Sequence, residues 1–169
     1  MIRDPSRRGQ ALAELYATIE PRLFADLEEA GVLPDRTDPA RAGIARDEWA
    51  CFALYACVRG LIAAGGFNRE TATAVESLHE RAVASWWSAG PGSDDAALRA
   101  RIAERYGEYG TIGQAGGASA AATVGRRLGE AAARHMTGSA EAGPALAEMA
   151  GALHESLAEG AAEAVRRGE

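Results

Sequence analysis

Trp49-Ala50-Cys51-Phe52-Ala53-Leu54-Tyr55-Ala56-Cys57-Val58-Arg59-Gly60-Leu61-Ile62-Ala63-Ala64-Gly65-Gly66-Phe67 is the longest weakly charged apolar run of the chain, and its reading decides the fold. At about 100° per residue, Cys51, Leu54, Tyr55, Val58, Leu61 and Ile62 fall on one broad arc of a helix. Ala53, Ala56 and Gly60 fall on the opposite side, below Trp49. A helix that is bulky on one face and small on the other packs on both sides, so residues 44–64 are expected to form the central helix of the domain. Arg59 interrupts the run near its middle, and alanine, glycine and cysteine make up much of it. It therefore reads as a buried core helix rather than a bilayer span, and no membrane is expected.

The flanks supply the neighbours. Asp38-Pro39 is a cap followed by a first-turn proline and opens the central helix, while Gly65-Gly66 closes it. Upstream, Leu12, Leu15, Tyr16, Ile19, Leu23 and Leu27 recur at three and four, predicting a helix from Ser6 to Ala30 with a kink or restart at Pro21. Downstream, Asn68 caps a third helix whose inner stripe is Val75, Leu78, His79, Ala82, Val83 and Trp86, closed by Ala89-Gly90-Pro91-Gly92. A fourth helix opens at Ser93 or Asp94 with the stripe Leu98, Ile102, Tyr106 and Tyr109. A fifth runs from about Ser119 to Thr137, and Gly143-Pro144 starts the last, with Leu146, Met149, Ala150, Leu153, Leu157 and Ala161 on one side. No stretch alternates like a strand. The expected fold is all-α: a single compact domain over residues 1–169, of about six helices around the central one.

Composition narrows the function. With 47% hydrophobic and 25% charged residues in 169, a packed core is available. The chain has no lysine, all 18 of its basic residues being arginine, which removes Schiff-base chemistry and a phosphate-loop lysine. The net charge of -6 and the lack of a basic stripe argue against nucleic acid. Arg99, Arg101, Arg105, Arg126, Arg127 and Arg134 are interleaved with Glu104, Glu108 and Glu130, which reads as a solvated mixed-charge face. Cys51 and Cys57 are too far apart along one helix to form a bridge and fit no zinc or redox template, so buried free thiols and a cytoplasmic location are expected. The first eight residues carry no apolar core, and no signal peptide is expected.

Few motifs carry chemistry. Glu76-Ser77-Leu78-His79 is a single Glu-x-x-His, whereas di-iron bundles use two, and neither His135 nor His154 supplies the second. His79 is expected to hydrogen-bond within the core, with no metal and no cofactor. Arg59 inside an apolar helix needs a carboxylate or an anionic ligand if buried, and Glu76 is its candidate partner if the second and third helices form an antiparallel hairpin. The run Gly107 to Gly117 offers no strand and no lysine for a phosphate loop; close helix packing with a kink is its first reading, a mobile lid over a pocket its second. Gly113/Gly117 and Gly125/Gly129 are four apart, the spacing that lets another backbone approach. Two functions are expected in order: a non-catalytic interaction module for a protein partner or for itself, or a small-ligand or metal-binding protein with a site at Tyr55, Arg59, Glu76, His79, Tyr106 and Tyr109. Trp87, which cannot share the core with Trp86, motivates a homodimer.

Overall fold

The computed structural model describes residues 4–34, 37–87, 95–115, 121–140 and 142–167, and of residues 87, 95, 121 and 122 the backbone alone. Among these residues there are six helices and no strand: α1 (Pro5–Glu29), α2 (Pro39–Gly65), α3 (Arg69–Trp87), α4 (Asp95–Gln114), α5 (Ala121–Thr137) and α6 (Pro144–Arg167). Local chemistry sets their ends. The Asp4 carboxylate accepts from the Ser6 amide at 2.9 Å, and Asp38 accepts from the Ala40 amide at 3.0 Å, each ahead of a first-turn proline. Gly66 ends α2 with φ at +75°, a conformation that L side chains rarely adopt. Asn68 then accepts from the Thr71 amide at 2.9 Å and donates to the Gly65 carbonyl at 2.7 Å, joining α2 to α3 in a stiff turn. α1 continues as one helix through Pro21.

The expected central helix is central. Trp49, Cys51, Phe52, Ala53, Leu54, Ala56 and Cys57 of α2 are fully buried, and α1, α3, α4, α5 and α6 all touch it. By length and composition α2 could cross a bilayer; here most of its apolar stretch is covered by the other helices. α1 lies along α3 and α5 along α6, while α4 rests on α5 and, more lightly, on α2.

Small residues decide these pairings. A β-carbon placed on Gly9 would lie 2.2 Å from the Ala74 carbonyl oxygen, so α1 and α3 touch backbone to side-chain root. At Gly60 it would meet the Ala161 β-carbon at 2.6 Å, and at Gly129 the Ala147 carbonyl oxygen at 2.1 Å. These are the α2–α6 and α5–α6 contacts. Of the glycine pairs expected to receive a helix, Gly125/Gly129 does so: both lie under α6, and a β-carbon on Gly151 would come within 2.8 Å of the Gly125 carbonyl oxygen, while one on Gly125 itself would meet the flexible Glu155 side chain at 3.2 Å.

Two expectations need correction. The stretch from Gly107 through Gly113 is helical, within α4, but it is not a close-packing surface. A β-carbon at Gly107 or Gly110 would meet nothing within 4 Å, and at Gly113 only the Tyr55 hydroxyl at 3.8 Å. Every-third spacing keeps these glycines along one side, and among the described residues that side receives no neighbouring backbone within 4 Å; Gly116 and Gly117 lie outside the described residues. Nor does α3 pair chiefly with α2: it lies along α1, which removes the hairpin geometry proposed for Arg59 and Glu76.

The two kinds of glycine should respond oppositely to one substitution. Gly129→Ala should destabilise by about 1–3 kcal/mol, because the new methyl meets backbone that cannot move aside. Gly107→Ala should stabilise by about 0.5–1 kcal/mol through helix propensity alone. Chemical denaturation of the two variants checks the pair; equal signs would contradict the packing described.

Candidate functional site

Four of the six residues expected at a ligand site come together. Tyr55 of α2 lies with its ring centroid 5.0 Å from Tyr106 and 5.4 Å from Tyr109, both on α4. His79 of α3 reaches the same group, its Nε2 3.0 Å from the Tyr106 hydroxyl. Three residues outside the expected six complete the cluster. His154 of α6 stacks on Phe52 at 4.1 Å and lies 5.9 Å from Tyr55, and Phe52 in turn lies 5.2 Å from Tyr109. The edge of His135 on α5 meets Tyr109 at 6.3 Å. Phe52, Tyr109 and His154 are buried, whereas Tyr55, His79 and Tyr106 are half-buried and form the side of the cluster that reaches solvent.

Two buried polar atoms of the cluster have no partner from the chain. The Nδ1 of His154 lies 3.1 Å from the Phe52 carbonyl, which can only accept, so Nδ1 carries the proton and Nε2 is left as a bare acceptor. That Nε2 and the Tyr109 hydroxyl are both buried with no hydrogen-bond partner. Thr71 Oγ1 is a third such atom, but it lies apart, beside Gly65 at the α2–α3 turn. Burial keeps the cluster neutral. It pushes the His154 imidazole far below its usual range, with Arg59 adding to the effect, and raises the Tyr106 and Tyr109 phenols. Burial also drives His79 down to about 4 and the Cys51 and Cys57 thiols up to about 12.

Charges ring the cluster in pairs that are already made. Arg59 of α2 is bonded to Glu155 of α6. Arg105 of α4 holds the buried Glu48 of α2 with two bonds, of 2.8 and 2.9 Å. Glu108 of α4 accepts from Arg134 at 3.2 Å and lies 2.6 Å from His135 Nε2. Burial works to raise the Glu108 pKa, but the bond to His135 and the charges of His135 and Arg134 outweigh it and hold the carboxyl below its usual range.

The remaining expected positions fall elsewhere. Arg59 is a structural ion pair one turn beyond Tyr55, and its partner is Glu155, not Glu76. Glu76 is exposed on α3 and joins no cluster, because α3 turns its inner face toward α1. Among the described residues no group of three His, Cys, Asp or Glu is placed to hold a metal, with His79 on Tyr106 and His135 on Glu108. Arg105 is not part of a solvated face; its side chain is 15% exposed against Glu48. The Trp87 side chain lies outside the described residues. A cleft of about 710 Å³ opens between α5 and α6, floored by Gly125, Ala147 and Gly151 and edged by Arg126, Glu130 and Glu148. His154 did carry a faint signal: it is four residues after Ala150 and three before Leu157, on the apolar stripe of α6. Compared with protein-family models, curated proteins and solved structures, the chain matches none.

The neutral histidines set an acid limit. His79 has a folded value of about 4 against an ordinary 6.5, so between these pH values the unfolded chain binds more protons, and stability falls as pH drops through that window. His154 acts in the same direction. His79→Gln should cost about 1–3 kcal/mol at pH 7 through the altered bond to Tyr106 and should flatten the decline between pH 6.5 and 4. Urea denaturation across that range checks this; an unchanged slope would mean His79 is not buried neutral.

Proposed function

We propose that this chain is a small-ligand-binding helical protein whose site is the ring cluster where α2, α4 and α6 meet. The observation supporting this reading is the pair of unsatisfied buried atoms, the Tyr109 hydroxyl and His154 Nε2, flanking the same two rings, Phe52 and Tyr55. Leaving a buried polar group without a partner costs about 1–3 kcal/mol, and native interiors leave few such groups. A ligand that bonds either atom recovers part of that cost. Tyr109→Phe tests the reading. Without ligand the variant should gain about 1–2 kcal/mol by losing an unsatisfied hydroxyl. In a thermal-shift screen of small metabolites, compounds that raise the melting temperature of the native chain should raise that of the variant less. A variant destabilised without ligand, or a screen that never separates the two proteins, removes the reading.

The interaction-module reading keeps one observation of its own. Phe67 is 90% exposed, held out to water by the stiff Gly66–Asn68 turn. Single exposed apolar residues are ordinary, but a nearly bare phenyl on a rigid turn suits insertion into a partner, a second copy included. Light scattering on the native chain at micromolar concentration should then give a dimer mass, and Phe67→Ser should return it to monomer with unchanged stability. A monomeric native chain ends self-association through this turn.

A further inference from the structure

We infer that α4 is a detachable lid: it unwinds and leaves α2 while the other five helices stay packed, uncovering the aromatic side of α2 at Phe52 and Tyr55. The opening is a property of the fold and does not rest on the ligand reading. Among the described side chains of α4 only Ile102 and Tyr109 are buried. Its middle carries Gly107, Gly110 and Gly113, where an added β-carbon would meet no neighbouring backbone within 4 Å among the described residues. Each glycine in a helix interior weakens it relative to alanine, and here no close crossing offsets the loss. The tight crossings at Gly60 and Gly129 join α2, α5 and α6 and do not involve α4.

Polar links seat much of the helix, and they are links that water can replace. Arg101 meets Asp47 of α2 at 3.0 Å with both side chains exposed, and such a pair adds little. Arg105 makes two bonds to the buried Glu48, but on opening both ions regain the hydration that burial removed. Glu108 meets Arg134 and His135 of α5 at a partly exposed contact, and His79 of α3 adds one bond to the Tyr106 hydroxyl. The Tyr109 hydroxyl, buried without a partner from the chain, gains water as α4 leaves. The apolar hold is the packing of Tyr106 and Tyr109 on Tyr55 and of Tyr109 on Phe52. These rings pack directly on one another, and the clefts along α6 are lined by other residues, so the release of α4 is what opens the aromatic side of α2.

Hydrogen exchange of the native chain, read amide by amide by NMR, tests the lid. After correction for intrinsic rates, amides of residues 102–111 of α4 should exchange about tenfold or more faster than those of residues 51–61 of α2. Gly107→Ala combined with Gly110→Ala should slow the α4 amides about fivefold or more, because the helix must unwind to open. Gly129→Ala loosens the α5–α6 crossing, which stays made while α4 is open, so it should speed the α2 amides and leave those of α4 unchanged. The cysteines give a second readout. At about 100° per residue Glu48, Cys51, Phe52 and Tyr55 share one side of α2, and Cys57 lies opposite Glu48. The charges acting on the Cys51 thiol are those of Glu48, Arg105 and Arg101, the seat of α4. In the single-cysteine variants Cys57→Ala and Cys51→Ala, iodoacetamide should label Cys51 about tenfold or more faster than Cys57. Exchange of α4 and α2 at one rate, or acceleration of both together by Gly129→Ala, means that the bundle opens only as a whole and overturns the lid. Equal labelling of the two thiols overturns the uncovering of α2.

Discussion

The structure depends on burying one helix on every side. α2 contributes the largest block of fully buried side chains, and the other five helices are arranged so that each covers part of it. Such a helix cannot carry a lone charge, because an ion taken from water needs a partner. The charged residues along the covered length of α2 are therefore paired with neighbouring helices, Asp47 with Arg101 of α4 at 3.0 Å among them. Arg46 reaches back to the buried Glu20 of α1, with a second bond of 2.7 Å, and lies over the Phe24 ring. Glu48 captures Arg105 of α4, and Arg59 captures Glu155 of α6. The polar exceptions on the apolar helix thus tie it to three separate helices.

Aromatic hydroxyls and indoles do the same work at the α1–α2–α3 contact. The Tyr16 hydroxyl donates to the Ala50 carbonyl at 3.0 Å and accepts from the Trp86 indole at 3.1 Å, and the Trp49 indole donates to the Glu20 carbonyl at 3.3 Å. These large side chains keep every polar atom bonded, whereas Tyr109 and His154 do not. The contrast within one small bundle gives the unsatisfied pair its weight. The same chain bonds the polar atoms around Trp49 and Ala50 and gives the Tyr109 hydroxyl and His154 Nε2, beside Phe52 and Tyr55 within two turns along α2, no partner from the chain.

Glycine content alone would have misplaced the tightest contacts. Gly107, Gly110 and Gly113 lie in α4, where an added β-carbon would meet no neighbouring backbone within 4 Å among the described residues, and the tight approaches fall elsewhere, at Gly9, Gly60 and Gly129. What distinguishes them is the opposite face: Gly60 meets Ala158, Ala161 and Ala162, and Gly129 meets Ala147 and Gly151, so both partners of each contact are small. A run of glycine on one helix says nothing about whether another helix is small enough to use it.

The sequence by itself determined the helices, their caps and the central place of α2, because these rest on local chemistry: periodicity of apolar side chains, Asp-Pro starts, and a glycine stop with positive φ. It also placed Tyr55, His79, Tyr106 and Tyr109 on inward faces. Only the tertiary structure decided what those faces meet. That Arg59 binds Glu155 rather than Glu76, that Arg105 leaves the solvated face for Glu48, and that His154 stacks on Phe52 all join residues at least 57 positions apart. Such pairings depend on which helices approach closely, and that is settled by the fit of small residues on two surfaces at once, a property no single stretch of chain contains.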